Sequence, residues 1–327
     1  MQQTFGVDIG NSGIRVAELH LPSRELGEML RVDWCSTDLN AVRRCDESSM
    51  RYLPDDPQWL SEIDRYIEST ELSDASQPSR WLISSVRRDA LRLLEDHLSL
   101  ARATKARPLE TQRQVEVVTH EALPLEVRVD FPQAVGIDRL LAALAALELT
   151  TARPAVVIQA GSAVTVDLIA APIGRTVVPT VSKCSTVVPT VSHDGNHPAT
   201  LKPPQIVPIP LGSFEGGAII PGVPMMLRLL GKGADLLPEI DAAELLGLPP
   251  LPGKNTESAM MCGAASALVG GVLHLVERYR LQYGQEIPII ISGGDGMRLS
   301  PYVPAPLIVK DHLVHCGLLR LAELQHN

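Results

Sequence analysis

Asp8-Ile9-Gly10-Asn11-Ser12-Gly13 lies between two short apolar runs, Phe5-Gly6-Val7 and Ile14-Arg15-Val16-Ala17. The first run reads as a buried strand. The second resumes strand alternation, with Ile14 and Val16 on one side. Gly10, Asn11 and Gly13 between them are residue types that tolerate left-handed backbone in a tight turn. The stretch therefore reads as strand, glycine-rich turn, strand. A P-loop or dinucleotide fingerprint would run from its glycines into a helix and bring a Lys or a third Gly. Small residues at such a turn let backbone N–H groups close on phosphate oxygens. A carboxylate such as Asp8, at the end of the first strand, can hold a cation that bridges those phosphates. An ordinary Gly/Asn hairpin with a surface Asp carries the same signature.

The pattern returns in Ala155-Val156-Val157-Ile158-Gln159-Ala160-Gly161-Ser162-Ala163-Val164-Thr165-Val166-Asp167. Gln159 precedes Gly161 as Asp8 precedes Gly10, and Ser12 and Ser162 offer hydroxyls at the two turns. Two such hairpins heading two halves of the chain imply a duplicated α/β fold with a nucleotide held between the halves. That arrangement resembles the actin-like ATPase and sugar-kinase superfamily, which is built of two ribonuclease H-like domains. The expected halves are residues 1–150 and 151–327.

Within that superfamily the chain resembles the type III pantothenate kinases, by motifs that occur in order. Asp8-Ile9-Gly10-Asn11-Ser12 resembles the first phosphate motif, and Gly136-Ile137-Asp138-Arg139 the Gly-x-Asp-Arg substrate motif. Gln159-Ala160-Gly161-Ser162-Ala163 resembles the second phosphate motif, usually Asp-x-Gly-Thr-Ala. Gly216-Gly217-Ala218-Ile219-Ile220-Pro221-Gly222, Gly253-Lys254-Asn255-Thr256 and Ser292-Gly293-Gly294-Asp295 resemble later segments. The resemblance implies ATP-dependent phosphorylation of pantothenate, the first step of coenzyme A synthesis, by a cytoplasmic homodimer using Mg²⁺ and a monovalent cation, K⁺ or NH₄⁺. It assigns Asp8, Ile9, Gly10, Asn11, Ser12, Gly13, Ile14, Arg15 and Ser162 to ATP, and Asp8 to Mg²⁺. Gly136, Ile137, Asp138 and Arg139 fall to pantothenate, with Asp138 as general base.

The residues supply a physical basis for part of this. Asp138 precedes Leu140-Leu141-Ala142-Ala143-Leu144-Ala145-Ala146-Leu147, a strong helix former that is apolar almost all round and so expected to be buried. An Asp there is also a good N-cap, favoured by the helix dipole. A carboxylate fixed at a buried helix start can accept a proton from a substrate hydroxyl. Arg139 can grip a substrate carboxylate through two parallel hydrogen bonds.

The chain also departs from the family. Gln159 stands where relatives have an Asp that binds the monovalent cation, and an amide brings no charge. Ser162 replaces a Thr. Ala234 stands where relatives often have a Thr touching pantothenate across the dimer, and Val129 replaces a pocket Tyr. A non-catalytic nucleotide-binding accessory relative, or a kinase for another small alcohol, is the alternative reading.

The chain of 327 residues is 45% hydrophobic, enough for about two domains. A net charge of −9 with 3% aromatic residues argues against nucleic acid. No uninterrupted apolar run of membrane-spanning length is apparent, and the N-terminus lacks a basic leader. Cys35, Cys45, Cys184, Cys262 and Cys316 share no metal or redox spacing, which fits reduced thiols and a cytosolic address.

Helices are expected over 58–70, from Asp89 to Leu98, over 256–278 and from Asp311 to Leu324. Strands are expected over 81–86, 115–118, 127–129 and 287–291, and a turn from Gly216 to Pro224 leading into a helix that carries Met225, Met226, Leu229 and Leu230. Ala259, Gly263, Ala267 and Gly270 form a small-residue stripe suited to close packing. Thr176–Ser182 recurs as Thr186–Ser192 within a Pro-rich stretch, so residues 172–208 read as a surface insertion. His193 and His197 there, and His312, His315 and Cys316 near the end, lack the further ligands that zinc needs.

Overall fold

The computed structural model describes residues 2–34, 51–52, 55, 57–70, 78–100, 113–172, 186–187, 206–207, 210–240 and 249–326. Cys35, Cys45, Cys184, His193, His197 and most of the expected insertion lie outside the described residues. The first part of the chain forms β1 (Thr4–Ile9), β2 (Gly13–His20), β3 (Glu25–Trp34), β4 (Arg51–Tyr52), α1 (Leu60–Thr70), β5 (Arg80–Ser85), α2 (Arg88–Leu100), β6 (Gln114–Val117), β7 (Leu125–Val127) and α3 (Ile137–Leu149). There follow β8 (Ala155–Ala160), β9 (Ala163–Ala170), β10 (Thr186–Val187), β11 (Ile206–Val207), β12 (Gly212–Pro221), α4 (Val223–Gly233), α5 (Thr256–Tyr283), β13 (Ile289–Ser292), α6 (Gly296–Leu299), β14 (Leu307–Val309) and α7 (Leu313–His326).

The two large sheets repeat one plan. The first has the order β4-β3-β2-β1-β5-β6 and the second β14-β13-β8-β9-β12-β7. In each, the central strand runs antiparallel to its hairpin partner and parallel to the strand beyond: β1 with β2 and β5, β8 with β9 and β13. The third strand, β3 or β12, is antiparallel to the second. This is the duplicated actin-like ATPase fold, with a ribonuclease H-like sheet in each copy. The copies interlock, because β7 pairs in parallel with β12 of the second sheet although it precedes residue 150.

Side-chain alternation explains the layers. Phe5, Val7, Ile9, Ile14 and Val16 pack outward against Trp59, Ile63, Ile67 and Leu94. Val156, Ile158, Val164 and Val166 pack outward against Leu268, Val272 and Val276 of α5. The opposite faces share one central core, in which Leu82, Val157, Phe214 and Ile290 meet Leu140–Ala146 of α3 and Leu318 of α7. As its composition implies, α3 is buried nearly all round.

Several expectations change. Residues 216–221 are strand, not turn: Gly216 takes φ +90 at a register shift in β12, so its glycine makes a bulge rather than a reversal. Residues 25–34, left unassigned from the sequence, form the third strand. Asp138 is not the N-cap. Gly136 occupies that position, and Asp138 sits in the first turn. The stripe Ala259, Gly263, Ala267 and Gly270 is exposed. By length and composition Thr256–Tyr283 is apolar enough to cross a membrane, which no single uninterrupted run had suggested. Its Leu268, Val272 and Val276 instead serve the core beneath the second sheet.

Candidate active site

A cavity of about 390 Å³ opens where the central strands of the two sheets end. Asp8, Gly10, Asn11, Ser12 and Arg15 line it from the first sheet. Gln159, Gly161 and Ser162 line it from the second, Asp138 from the start of α3, and Gly293, Gly294, Asp311 and His312 from the remaining side. Both α3 and α7 begin here, and helix N-termini favour bound anions. Asp8 and Asp138 thus share one cleft, as the kinase reading requires.

Asp8 alternates with the outward Val7 and Ile9, so its side chain faces the cleft. Burial pushes its carboxyl up to about 6. Arg15 opposes that shift, Asp138 adds to it, and a 3.4 Å hydrogen bond donated by Ser84 opposes it. Burial also raises Asp138, against the pull of the Arg139 backbone N–H, which donates to its Oδ1 at 2.9 Å. A Cβ on Gly136 would lie 2.4 Å from that oxygen, so a side chain here would push the carboxylate aside.

Each hairpin turn is closed by a glycine N–H, across a four-residue loop in the first and a three-residue loop in the second. Gly10 N–H donates to Gly13 C=O at 2.9 Å, and Gly161 N–H to Ala163 C=O at 3.1 Å. Neither Gly10, Asn11 nor Gly13 adopts positive φ. Close approach, rather than left-handed backbone, demands the glycine at 13, where a Cβ would meet Val32 O at 2.3 Å. The two turns touch, with Ser12 Oγ and Ser162 Oγ 2.8 Å apart.

Other expected residues stand back from the wall. Ile9 and Ile14 are in the outer core and Ile137 in the central one. Gly13 is buried beneath its turn, and Gly136 caps α3. Arg139 turns away from the cavity. Its Nε donates to Asp167 Oδ2 at 3.1 Å and its Nη2 to Asp167 Oδ1, and its guanidinium lies 5.3 Å from the Phe214 ring centroid. Ala234 is an exposed C-cap of α4, and Val129 packs beside Gly216.

Sequence reasoning gave no role to Asp167, which is 1% exposed. The available signal was an Asp set directly among apolar neighbours, between Val166 and Leu168-Ile169-Ala170. Asp311, His312 and Arg31 of the wall were missed as well. His312 has φ +55. Its neighbour His315 is buried, with Nε2 3.3 Å from Arg15 O, and burial pushes it down to about 3.

The sequence model of the type III pantothenate kinases matches residues 5–179 and 210–278. The chain belongs to that family. A type III pantothenate kinase of Rhodopirellula baltica is 29% identical, covering 97% of each chain. One from Polaromonas sp. strain JS666 is 26% identical, covering 89% of this chain and 93% of its own. The family match lapses over 180–209, which overlaps the Pro-rich repeats.

Membership makes the chain a kinase and implies ATP with Mg²⁺. The residues fit that ion: Asp8 is a buried carboxylate on the cleft wall whose charge Arg15 offsets only in part, and Mg²⁺ takes one or two carboxylates together with phosphates. Bound with the nucleotide, Mg²⁺ supplies positive charge to the phosphate oxygens. The monovalent cation fits poorly. Gln159 brings no charge, and its Nε2 donates to Asp138 O at 3.4 Å. Among the described residues no three His, Cys, Asp or Glu side chains cluster as a metal site.

Proposed function

We propose that this kinase transfers the γ-phosphoryl group of ATP to the primary hydroxyl of pantothenate, releasing ADP and 4′-phosphopantothenate. One observation carries the reading: Asp8 and Asp138 line the same cavity as two small-residue hairpins and two helix N-termini. Phosphoryl transfer asks the protein chiefly for alignment and charge compensation. Ser12, Ser162 and the turn N–H groups hold the phosphates, and Asp8 organises the metal-bearing end. Asp138 orients the substrate hydroxyl and takes its proton as oxygen attacks phosphorus and ADP departs. A carboxyl raised by burial is a better base than an exposed one.

A coupled assay tests this. ADP release that requires pantothenate, with Asp138→Asn lowering turnover by about 10²–10⁴ while nucleotide binding survives, supports the reading. An unchanged rate in Asp138→Asn removes the general base. The neutral Gln159 favours a second reading, nucleotide binding without turnover; intact ATP binding with no ADP release under any alcohol would establish it.

The same proposal includes a homodimer and a cytoplasmic address. Gly263 and Gly270 on α5 are open, with nothing within 4 Å of an added Cβ, and Leu229 and Leu230 on α4 and Leu236 beyond it are exposed. Cys262 and Cys316 are free thiols, consistent with a reducing compartment.

A further inference from the structure

Resting on the kinase reading, we infer that Asp167 and Arg139 are positioning residues: together they form a buried strut that fixes the first turn of α3, and hence Asp138, against the second sheet. Arg139 follows Asp138 directly, so anchoring its side chain anchors the base. The strut has three supports. Asp167 holds two guanidinium nitrogens, a two-point grip that also sets the orientation of the plane. Phe214 lies against the guanidinium. The local shape of β12 is fitted to the pair: at Gly217, opposite Asp167 in register, a Cβ would stand 2.3 Å from Asp167 Oδ1. The Gly216-Gly217 pair in the sequence therefore makes the bulge and clears space for this carboxylate.

The geometry also argues against Arg139 as a substrate ligand. Its Nε and Nη2 are committed to Asp167, and it is absent from the cleft wall that holds Asp8 and Asp138. A buried ion pair contributes modestly to net stability, yet removing one partner strands the other charge. That makes such a pair better suited to fixing geometry than to adding stability.

The test uses the full chain with Asp167→Asn, Arg139→Gln, Arg139→Lys and the Asp167→Asn/Arg139→Gln double variant. Melting curves, affinity for a non-hydrolysable ATP analogue, and separate kcat and KM for pantothenate are measured. Each single variant should lower kcat at least tenfold, with nucleotide affinity and the KM for pantothenate within about twofold of wild type. The double variant should be no worse than the poorer single, since both act through one contact. Arg139→Lys keeps the charge and loses the two-point grip, so it should also lose kcat, and it serves if Asp167→Asn fails to fold. Normal kcat in folded variants, with only lower melting temperatures, overturns the inference. So does a tenfold higher KM for pantothenate in both Arg139 variants with Asp167→Asn unaffected, which would make Arg139 a substrate ligand. A wild-type chain that releases no ADP with pantothenate overturns the kinase reading itself, and is recognised before any variant is made.

Discussion

Ser12 Oγ and Ser162 Oγ, 150 positions apart in the chain, meet at 2.8 Å across the mouth of the cleft. No phosphate fits between two hydroxyls at that separation, so a bound triphosphate must part them or run alongside. Both then become donors to charged oxygens, each such bond being worth roughly 1.5–3 kcal/mol. Ser12→Ala and Ser162→Ala should each weaken nucleotide binding about tenfold or more, read by calorimetry. Melting temperature should change little, because neither side chain is in a core.

Asp8 should cost the protein stability at neutral pH. Its folded value of about 6 lies above the ordinary 3.8, so the native state favours the protonated form. The stability from that proton is complete below about pH 3.8 and is lost as pH rises through about 6. A displacement of this size is worth about 3 kcal/mol. Asp8→Asn should therefore be more stable than wild type above pH 6, by up to that amount, and equal to it near pH 4. Chemical denaturation at pH 4 and 7.5 reads the difference, and turnover should fall sharply.

His315 should act in the opposite sense. Burial lowers it from 6.5 to about 3, so the native state keeps the ring neutral. Stability from this group is complete above about pH 6.5 and is lost as pH falls towards 3. Between about pH 4 and 6 the Asp8 and His315 contributions oppose each other. His315→Gln should flatten the acid limb of the wild-type stability curve; an unchanged slope below pH 6.5 would contradict the buried neutral ring.

Gln159 predicts the response to salts. Rates in K⁺, NH₄⁺ and Na⁺ at equal ionic strength should agree within about twofold, because an uncharged amide supplies little of the field that a carboxylate gives a cation. Gln159→Asp should introduce stimulation by K⁺. Wild-type activity that collapses without K⁺ would show that other oxygens build the site.

Particular residues show which parts of this were readable in advance. The hairpins at 4–20 and 155–170 stood out because apolar alternation is interrupted by small residues, and the sheets were built on them. The Ala/Leu run of α3 announced a buried helix, and its first turn carried the carboxylate. β3 was hidden because exposed Glu25, Glu28 and Arg31, and a register shift in its pairing with β2, break the alternation. The bulge at Gly216 looked like a turn because a glycine with positive φ serves either. Asp167 showed only as an Asp among apolar neighbours, and its role was hidden for another reason. Its meaning lies in Arg139, 28 residues away, and periodicity carries no information about such a partner.

The bare face of α5 has a practical corollary. A second copy seated on Gly263 and Gly270 would link folding to association, and unfolding would then respond to dilution. Melting temperature should climb with protein concentration over the micromolar range, and Gly263→Arg should abolish that dependence while halving the mass seen by light scattering.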